Sequence, residues 1–206
     1  MALVEARNVI GYNWEPSLEN TSGAKLRTEP LAPLAIVTRV DAETTDTMIT
    51  VVYPNFFSDQ ETGGSQLLSL NLWYDQGVDN WVSLIGNTPW FTLDDKFTAG
   101  LPDGLLIPGQ DYKFKYRGIN LFGEGAFSAI STVKAAMRPD RILTPVQQIV
   151  NRDLRVTWLA PNERGSPITV YNVYAENKAG VYVEYVACRS TSLICSIALT
   201  DLLNDY

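Results

Sequence analysis

Histidine is absent from this 206-residue sequence. It is the side chain that most often acts as a general base near neutral pH, so its absence removes Ser-His-Asp and Cys-His catalytic arrangements and histidine-ligated metals. Cysteine is nearly absent too, and the two that occur are too few for a thiolate zinc site without other ligands. These absences predict a protein that is not an enzyme and that carries no metal or other cofactor.

Basic residues and long apolar runs are also scarce. Lys and Arg number 16 against 23 Asp and Glu, which gives a net charge of −7. Binding to nucleic acid depends on clustered positive charge, so we expect no nucleic-acid partner. No apolar run approaches the ~20 residues that a membrane-spanning helix requires. We therefore expect no membrane insertion within this segment.

Acidic pairs in several loops raise the alternative of a calcium site or of paired catalytic carboxylates. None of them has the ligand spacing of an EF-hand loop. Glycosidic chemistry would also need a cleft between two carboxylates, and no cleft can be inferred from the sequence. We therefore expect solvated loops at these pairs, which are Asp41 with Glu43, Asp59 with Glu61, and Asp94 with Asp95.

The sequence repeats itself at a distance of about one hundred residues, which has to be recognised before the fold is assigned. Three segments recur in the same order, with offsets of 112, 107 and 101 residues. The matched pairs are Val4–Gly11 with Tyr116–Gly123, Ile49–Pro54 with Val156–Pro161, and Leu67–Asp75 with Ile168–Glu176. The unit is therefore a module of about one hundred residues.

Apolar and polar residues alternate with period two, which is typical of half-buried strands. Clusters of Gly, Pro, Asn and Asp separate the alternating runs and indicate turns. The pattern predicts an antiparallel β-sandwich, with another small all-β fold such as a barrel as the alternative. The clearest run has Tyr112, Phe114 and Tyr116 alternating with Lys113, Lys115 and Arg117.

The motifs resemble the fibronectin type III family over nearly the whole chain. Pro108–Tyr116, followed by Asn120–Gly125, is similar to the sixth strand and the following loop of that family. Val156–Pro161, including Trp158, is similar to its second strand, which contains the buried core Trp. The resemblance implies all-β, antiparallel, immunoglobulin-like sandwiches in tandem, one complete and two partial.

One position departs from the family pattern. Val51 stands where the family has its core Trp, and Trp73, Trp81 or Trp90 is expected to fill that volume instead.

A closer resemblance is to long tandem arrays on surface proteins of ciliate-type protists, in which two module types alternate. Asn20–Ala24 and Leu70–Val82 carry this similarity, and the second module type has a Cys pair like Cys188 and Cys195. It implies an extracellular or cell-surface location.

The repeat and the resemblance together divide the chain into three parts. Residues 1–31 are expected to supply the last two strands of a preceding module, residues 32–138 a complete module, and residues 139–206 the first five strands of a following module. The linkers, Glu29–Pro33 and Arg138–Asp140, are short and contain proline, which predicts semi-rigid joints.

The two partial modules imply a partner, because each alone would expose sheet edges and half a core. In this family the complete module would hold them ~30 Å apart, the length of a strand of ~7 to 9 residues. Either flanking residues of a longer array complete them, or copies stack head to tail by strand complementation and form a filament. The expected partners are therefore neighbouring repeats or copies of the chain itself.

Cys188 and Cys195 flank a polar turn between two expected strands, where facing positions lie within disulfide distance. We predict a disulfide, which would suit an oxidising compartment, and the alternative is a pair of buried reduced thiols. Asn20 begins the one Asn-x-Ser/Thr triplet, Asn20–Ser22, and is a candidate glycosylation site.

These features predict a non-enzymatic structural or adhesive segment of a long, fibrous, extracellular repeat protein. The alternative function is recognition of a glycan or protein ligand by exposed aromatic residues, for which the candidate patch is Trp81 with Trp90. Other surface proteins and glycans are the partners that this alternative would require.

Overall fold

The computed structural model describes residues 4–13, 26–99 and 106–205. Within these ranges thirteen strands form the sheets, and helical structure is limited to a 3₁₀ turn at Val186–Cys188 and one α-helix, α1 (Leu199–Asp205). Every strand pair with a resolved register is antiparallel. The all-β, antiparallel sandwich class predicted from the sequence is confirmed. No described helix is long and apolar enough to cross a membrane.

The strands follow one another with short connections, as is usual for antiparallel sheets. In chain order they are β1 (Thr38–Arg39), β2 (Ile49–Val52), β3 (Leu67–Tyr74), β4 (Val82–Ile85), β5 (Lys96–Ala99), β6 (Asp111–Asn120), β7 (Gly123–Glu124), β8 (Ser131–Lys134), β9 (Val146–Val150), β10 (Asp153–Thr157), β11 (Tyr174–Glu176), β12 (Tyr182–Glu184) and β13 (Ile194–Ala198).

Four sheets result. The largest has the order β4-β3-β6-β7, with β8 also paired to β6. Two three-stranded sheets have the orders β1-β2-β5 and β13-β10-β9, and β11 pairs with β12 alone. The alternation predicted for β6 is present, since Tyr112, Phe114 and Tyr116 are buried while the intervening residues are partly exposed.

The chain divides into two compact units. The first contains residues 1–37, 53–95 and 114–131, and the second contains residues 38–52, 96–113 and 132–206. The module boundaries proposed from the sequence, at residues 31/32 and 138/139, remain a prediction.

The first unit has an aromatic and leucine core. Leu70 and Leu72 on β3 are fully buried, as are Tyr53 and Tyr116, whose ring centres lie 5.5 Å apart. The Tyr116 hydroxyl donates a hydrogen bond of 2.9 Å to the Pro54 carbonyl oxygen. Burial raises the pKa of Tyr116 to about 12, and the nearby Glu61 carboxylate adds to the shift.

Buried apolar residues of the second unit lie on several strands. Ile49 and Val51 on β2 are buried. Val156, Cys195 and Ile197, on β10 and β13, form an apolar cluster. The C-terminal strands, β9 to β13, carry this cluster and are the part of the unit that bears on function.

Candidate functional site

The C-terminal strands enclose an open groove of about 420 Å³. Apolar side chains line it because one face of each strand is apolar. Val156, Tyr171 and Ile197 are the buried members of this lining. The partly buried apolar side chains that line the groove and pack on the same cluster are Leu154, Trp158, Val173 and Leu202. Trp158 lies edge-on to Tyr171, with 5.6 Å between ring centres.

Hairpin β11-β12 repeats part of hairpin β3-β4. Two cross-strand pairs recur at a displacement of 101 residues, the same offset that separates Asn71 from Asn172. The equivalent cross-strand pairs are Trp73–Ser83 with Tyr174–Glu184, and Tyr74–Val82 with Ala175–Val183. The two copies of the repeat therefore share one strand register as well as one sequence pattern.

The two hairpins differ on their other side. β3 is paired there with β6, from Leu67 opposite Asn120 to Tyr74 opposite Phe114. Among residues 4–13, 26–99 and 106–205, no strand pairs with β11 on the equivalent side. We call this side of β11, together with the same side of residues 171–173 that precede it, the open edge.

Backbone hydrogen bonds show which residues face the open edge. The Tyr171 amide donates to the Ser190 carbonyl at 2.7 Å, and the Val173 carbonyl accepts from the Tyr185 amide at 2.8 Å. Because alternate residues of a strand direct their N–H and C=O groups to opposite sides, those of Asn172 face the open edge. An unpaired edge of this kind is a template for strand addition.

Residues 4–13, which we call the N-terminal hairpin, fold like the turn between β6 and β7. Both hairpins have an antiparallel pair next to the turn and one backbone bond of 2.9 Å beyond it. The equivalent contacts, displaced by 112 residues, are Arg7–Tyr12 with Ile119–Glu124, and Asn13 N–Ala6 O with Gly125 N–Gly118 O.

An asparagine shapes both turns. The Asn8 Oδ1 accepts hydrogen bonds from the amides two and three residues later, at 2.8 and 3.2 Å. The Asn120 Oδ1 accepts the corresponding two bonds at 2.8 and 3.2 Å. The glycine that follows has a φ of 151° at Gly11 and 146° at Gly123, a conformation that favours glycine. The repeat seen in the sequence is therefore a repeat of structure.

Every residue of the N-terminal hairpin is exposed. At its tip this is expected, because Val9 and Ile10 correspond to tip residues of the β6-β7 turn that are also exposed. Val4 is different, since it corresponds to the fully buried Tyr116 yet is 68% exposed. The N-terminal hairpin therefore has the same turn as β6-β7, but its side chains are exposed where the equivalent residue of β6 is buried.

Both predicted linkers are held by a similar pair of backbone hydrogen bonds, which we call the linker clamp. One amide within the linker and one just before it, three residues apart, donate to two carbonyls of a nearby loop, at 2.9 Å in the first clamp and 3.0 Å in the second. A proline, Pro30 or Pro139, lies between the two donors and lacks an amide of its own. The donors and acceptors are Thr28 to Gly63 and Leu31 to Glu61, then Met137 to Arg164 and Asp140 to Asn162.

Side chains support each clamp in a different way. In the first, the Asn120 amide group donates to the carbonyl oxygens of Thr28 and Thr62, at 2.7 and 2.9 Å. In the second, Arg164 Nε donates to the Asp140 carboxylate at 2.9 Å, and this partner raises the pKa of the guanidinium. The clamp geometry is thus kept while its supporting residues change.

Cys188 and Cys195 are joined in a disulfide with 5.5 Å between their Cα atoms. The expectation that both lie on strands is wrong for Cys188, which ends the 3₁₀ turn. The Cys188 amide donates to the Tyr185 carbonyl at 3.0 Å, so the chain turns before a second strand can form. The bond ties this turn to β13 beside the groove.

The other predicted site residues are not brought together by any described contact. Trp81 is partly buried and Trp90 is 82% exposed. The candidate glycosylation residue Asn20 lies outside the described residues. None of Trp73, Trp81 and Trp90 is buried, so none takes the place of a core Trp near the fully buried Val51.

Trp73 and Trp81 belong instead to a cation–aromatic ladder on one face of the largest sheet. Lys115 Nζ lies 4.0 Å from the Trp81 ring centre and 4.4 Å from that of Phe127. The Arg117 guanidinium lies 4.5 Å from the Phe127 centre and 5.7 Å from that of Trp73. Burial, with the neighbouring Arg117, lowers the pKa of Lys115. The alternation of basic residues in β6 was the sequence signal for this ladder.

The acidic pairs form ordinary surface contacts. Asp41 pairs with Arg39 at 3.3 Å and Glu43 with Lys96 at 2.6 Å. Glu61 accepts a 2.6 Å hydrogen bond from the Ser58 hydroxyl, which lowers the pKa of that carboxyl. Asp94 and Asp95 lie near enough to Tyr53 to add to the raised pKa that burial gives it. Across the described residues, no three metal-ligating side chains cluster.

Comparison with known proteins finds partial similarity. No family model matches the chain. It is 29% identical over 118 residues to host cell factor 1 of rat (Rattus norvegicus), mouse (Mus musculus) and golden hamster (Mesocricetus auratus). The match covers 50% of this chain and 6% of each relative, so the chain spans a small fraction of their length.

Two solved structures are similar at low sequence identity. Domains A168–A170 of titin match 52% of this chain and 32% of that chain, with 14% identity and a TM-score of 0.39. The FN1–FN3 domains of chicken CNTN1 match 84% and 57%, with 14% identity and a TM-score of 0.42. The fold assignment therefore rests on the strand pairings described above.

Proposed function

We propose that this chain is a non-enzymatic structural or adhesive repeat segment of a long fibrous protein built from fibronectin-type modules. The linker clamp is the observation that supports it most directly, because it recurs at both linkers with the same donor spacing. Two amides held to the neighbouring loop restrict rotation about a linker. A spacing or load-bearing array needs such joints, whereas a hinge does not.

Amide hydrogen exchange tests the clamp in the chain as it stands. The Leu31 and Asp140 amides are expected to exchange at least tenfold more slowly than unstructured peptide, because each is a hydrogen-bond donor. Leu31→Pro and Asp140→Pro remove the donors, and they should speed exchange at the remaining donors, Thr28 and Met137. The matched controls Leu31→Ala and Asp140→Asn keep the amides and should leave exchange slow. Exchange at the unstructured rate in the unmodified chain would contradict the proposal.

The same array is proposed to be extracellular or on the cell surface, with the alternating organisation of ciliate-type protist arrays. The disulfide between Cys188 and Cys195 supports an oxidising compartment. Intact mass of the natural protein, with and without reductant, checks the bond. The same spectrum checks whether Asn20 carries a glycan. Free thiols in the isolated protein would count against this location.

A second function, recognition of a glycan or protein ligand, is supported by one observation. Trp90 is 82% exposed, and its amide donates 2.7 Å to the Asn87 carbonyl in a turn that presents the ring to solvent. Trp81 is less suitable because its ring already contacts the Lys115 ammonium. A glycan array with the chain and its Trp90→Ala variant tests this function, and equal signals from both would remove it.

A further inference from the structure

We infer that the groove of the C-terminal strands binds the N-terminal hairpin of a second copy, which adds as a strand to the open edge beside residues 171–173. The inference rests on the proposed function, since it names the partner that the repeat recruits. Three features carry it: an unpaired edge beside an apolar groove, an exposed hairpin that repeats β6-β7, and constant offsets that place one against the other.

The pairing of β3 with β6 supplies the geometry. Leu72 lies opposite Tyr116, Asn71 opposite Arg117 and Leu70 opposite Gly118. Applying the offsets of 101 and 112 residues gives the pairs of the composite sheet. They are Val173 opposite Val4, Asn172 opposite Glu5, and Tyr171 opposite Ala6 of the second copy.

The backbone of the hairpin is directed correctly for this register. Ala6 uses its carbonyl and amide within the hairpin, towards Asn13. The amide and carbonyl of Glu5 therefore face the opposite side. Asn172 presents its own N–H and C=O on the open edge, so Glu5 and Asn172 can exchange both hydrogen bonds of an antiparallel pair.

Side chains fit the same register. In the largest sheet Asn71 Oδ1 accepts a 3.2 Å hydrogen bond from Arg117 Nε. In the composite sheet Asn172 faces Glu5, and its amide group can donate to the carboxylate. The pair in the composite sheet is therefore also polar, but its asparagine donates the hydrogen bond, whereas Asn71 accepts it.

Apolar character fits the same register. Val4 corresponds to the fully buried Tyr116 and is 68% exposed in this structure. The register would place Val4 beside Val173, which lines the apolar groove. A small apolar side chain suits such a lining.

The contact joins the N-terminal hairpin of one copy to the C-terminal strands of another, so the two surfaces differ and copies add in one direction. Sedimentation velocity on the 206-residue chain should show association that increases with concentration. Glu5→Pro removes the outward-facing amide and should weaken association about tenfold or more. The control Glu5→Ala keeps that amide and should stay within about threefold of the unmodified chain.

Cross-linking tests the register itself. Val4 and Val173 would form a non-hydrogen-bonded pair, whose Cα atoms lie within disulfide distance. A chain carrying Val4→Cys, mixed with one carrying Val173→Cys and oxidised, should give a mixed dimer whose peptide map shows a 4–173 bond. The control Val9→Cys places its thiol at the exposed tip and should cross-link with position 173 at least tenfold less.

Three results would overturn the inference: a monomer at every concentration, association that Glu5→Pro leaves unchanged, or equal cross-linking from positions 4 and 9. None of them bears on amide exchange at the linker clamp, so slow exchange there would leave the proposed repeat function standing. If the linker-clamp amides exchanged fast but the disulfide between positions 4 and 173 formed, the proposal of fixed joints would be wrong and the inferred contact between copies would stand.

Discussion

Strands β3 and β11 are two versions of the same strand with different surroundings. β3 has a partner on both sides, and its Leu70 and Leu72 are fully buried. Among the described residues β11 pairs with β12 alone, and Val173, the counterpart of Leu72 just before β11, is only partly buried. Two cross-strand pairs with the following strand have the same register in both copies. Strand register is therefore set locally by the hairpin, whereas burial depends on whether a further strand, such as β6 beside β3, pairs on the other side.

The comparison separates two sources of stability. Cross-strand pairs within a hairpin contribute ~0.2–1 kcal/mol each and are available to both copies. Apolar burial contributes ~25 cal/mol per Å² and is complete only at β3. Substitutions that act on burial should consequently distinguish the two copies more than substitutions that act on pairing.

The largest effect is expected from truncation of the buried leucine. Leu72→Ala should lower the free energy of unfolding by about 2–5 kcal/mol, because it leaves a cavity in a closed core. Val173→Ala, at the equivalent position just before β11, should cost about 1 kcal/mol since its side chain is partly exposed. Urea denaturation monitored by residue-resolved hydrogen exchange measures both. Equal losses would show that the two environments do not differ. Leu121→Ala, at a 76% exposed site, is the control.

Loss of the disulfide should rank next and should act on the C-terminal strands alone. The bond closes a loop with a sequence separation of 7, for which chain entropy gives about 2–3 kcal/mol. The double variant Cys188→Ser with Cys195→Ser should speed amide exchange in β13 and leave β3 unchanged. Faster exchange in both strands would mean that the two copies unfold together.

The cation–aromatic ladder should give a smaller effect. Arg117 forms an ion pair of 2.6 Å with Glu124 and lies over the Trp73 and Phe127 rings. Arg117→Lys keeps the charge but loses the planar fork, which should cost about 1–2 kcal/mol in thermal or urea unfolding. An Arg155→Lys change, at an exposed residue of β10, is the matched control and should be neutral. If the ladder does not contribute to stability, Arg117→Lys and Arg155→Lys will have the same free energy of unfolding.

The smallest effect at neutral pH is expected at the Tyr116 hydroxyl. Tyr116→Phe removes one hydrogen bond to Pro54 and should cost about 1 kcal/mol at pH 7. The folded pKa of Tyr116 is raised to about 12, so its stabilising contribution is present below the unfolded pKa of ~10 and is lost as the pH rises through 12. Urea midpoints between pH 9 and 12 should therefore fall less steeply in the variant. A slope identical to that of the unmodified chain would show that Tyr116 does not titrate there.

Sequence alone was sufficient for the repeat and for its strand type. The offsets at Asn8, Ile49 and Asn71 predicted which strands correspond, and the pairings of β11-β12 and the turn at Asn8 follow those offsets. This succeeded because strand alternation and turn asparagines are local signals.

Contacts that depend on distant residues were not predictable in the same way. The two bonds of each linker clamp join backbone groups, so residue type did not indicate which residues accept them, for example Gly63 and Arg164. The expected core tryptophan was wrong because a ring can also stack on cations at the surface, as Trp81 does on Lys115. Cys188 was assigned to a strand because a single intervening turn has too little periodicity to be recognised.

The linker clamp also determines how a long array would respond to tension. Each joint is held by two backbone bonds, while β3 and β6 are registered at seven positions. Under a pulling force the joints would release first, and each freed linker residue would extend by up to ~3.3–3.6 Å. Because each donor and its acceptor belong to one chain, the bonds could re-form when the force falls, and a long array would lengthen and recoil at these joints while its sheets stay intact.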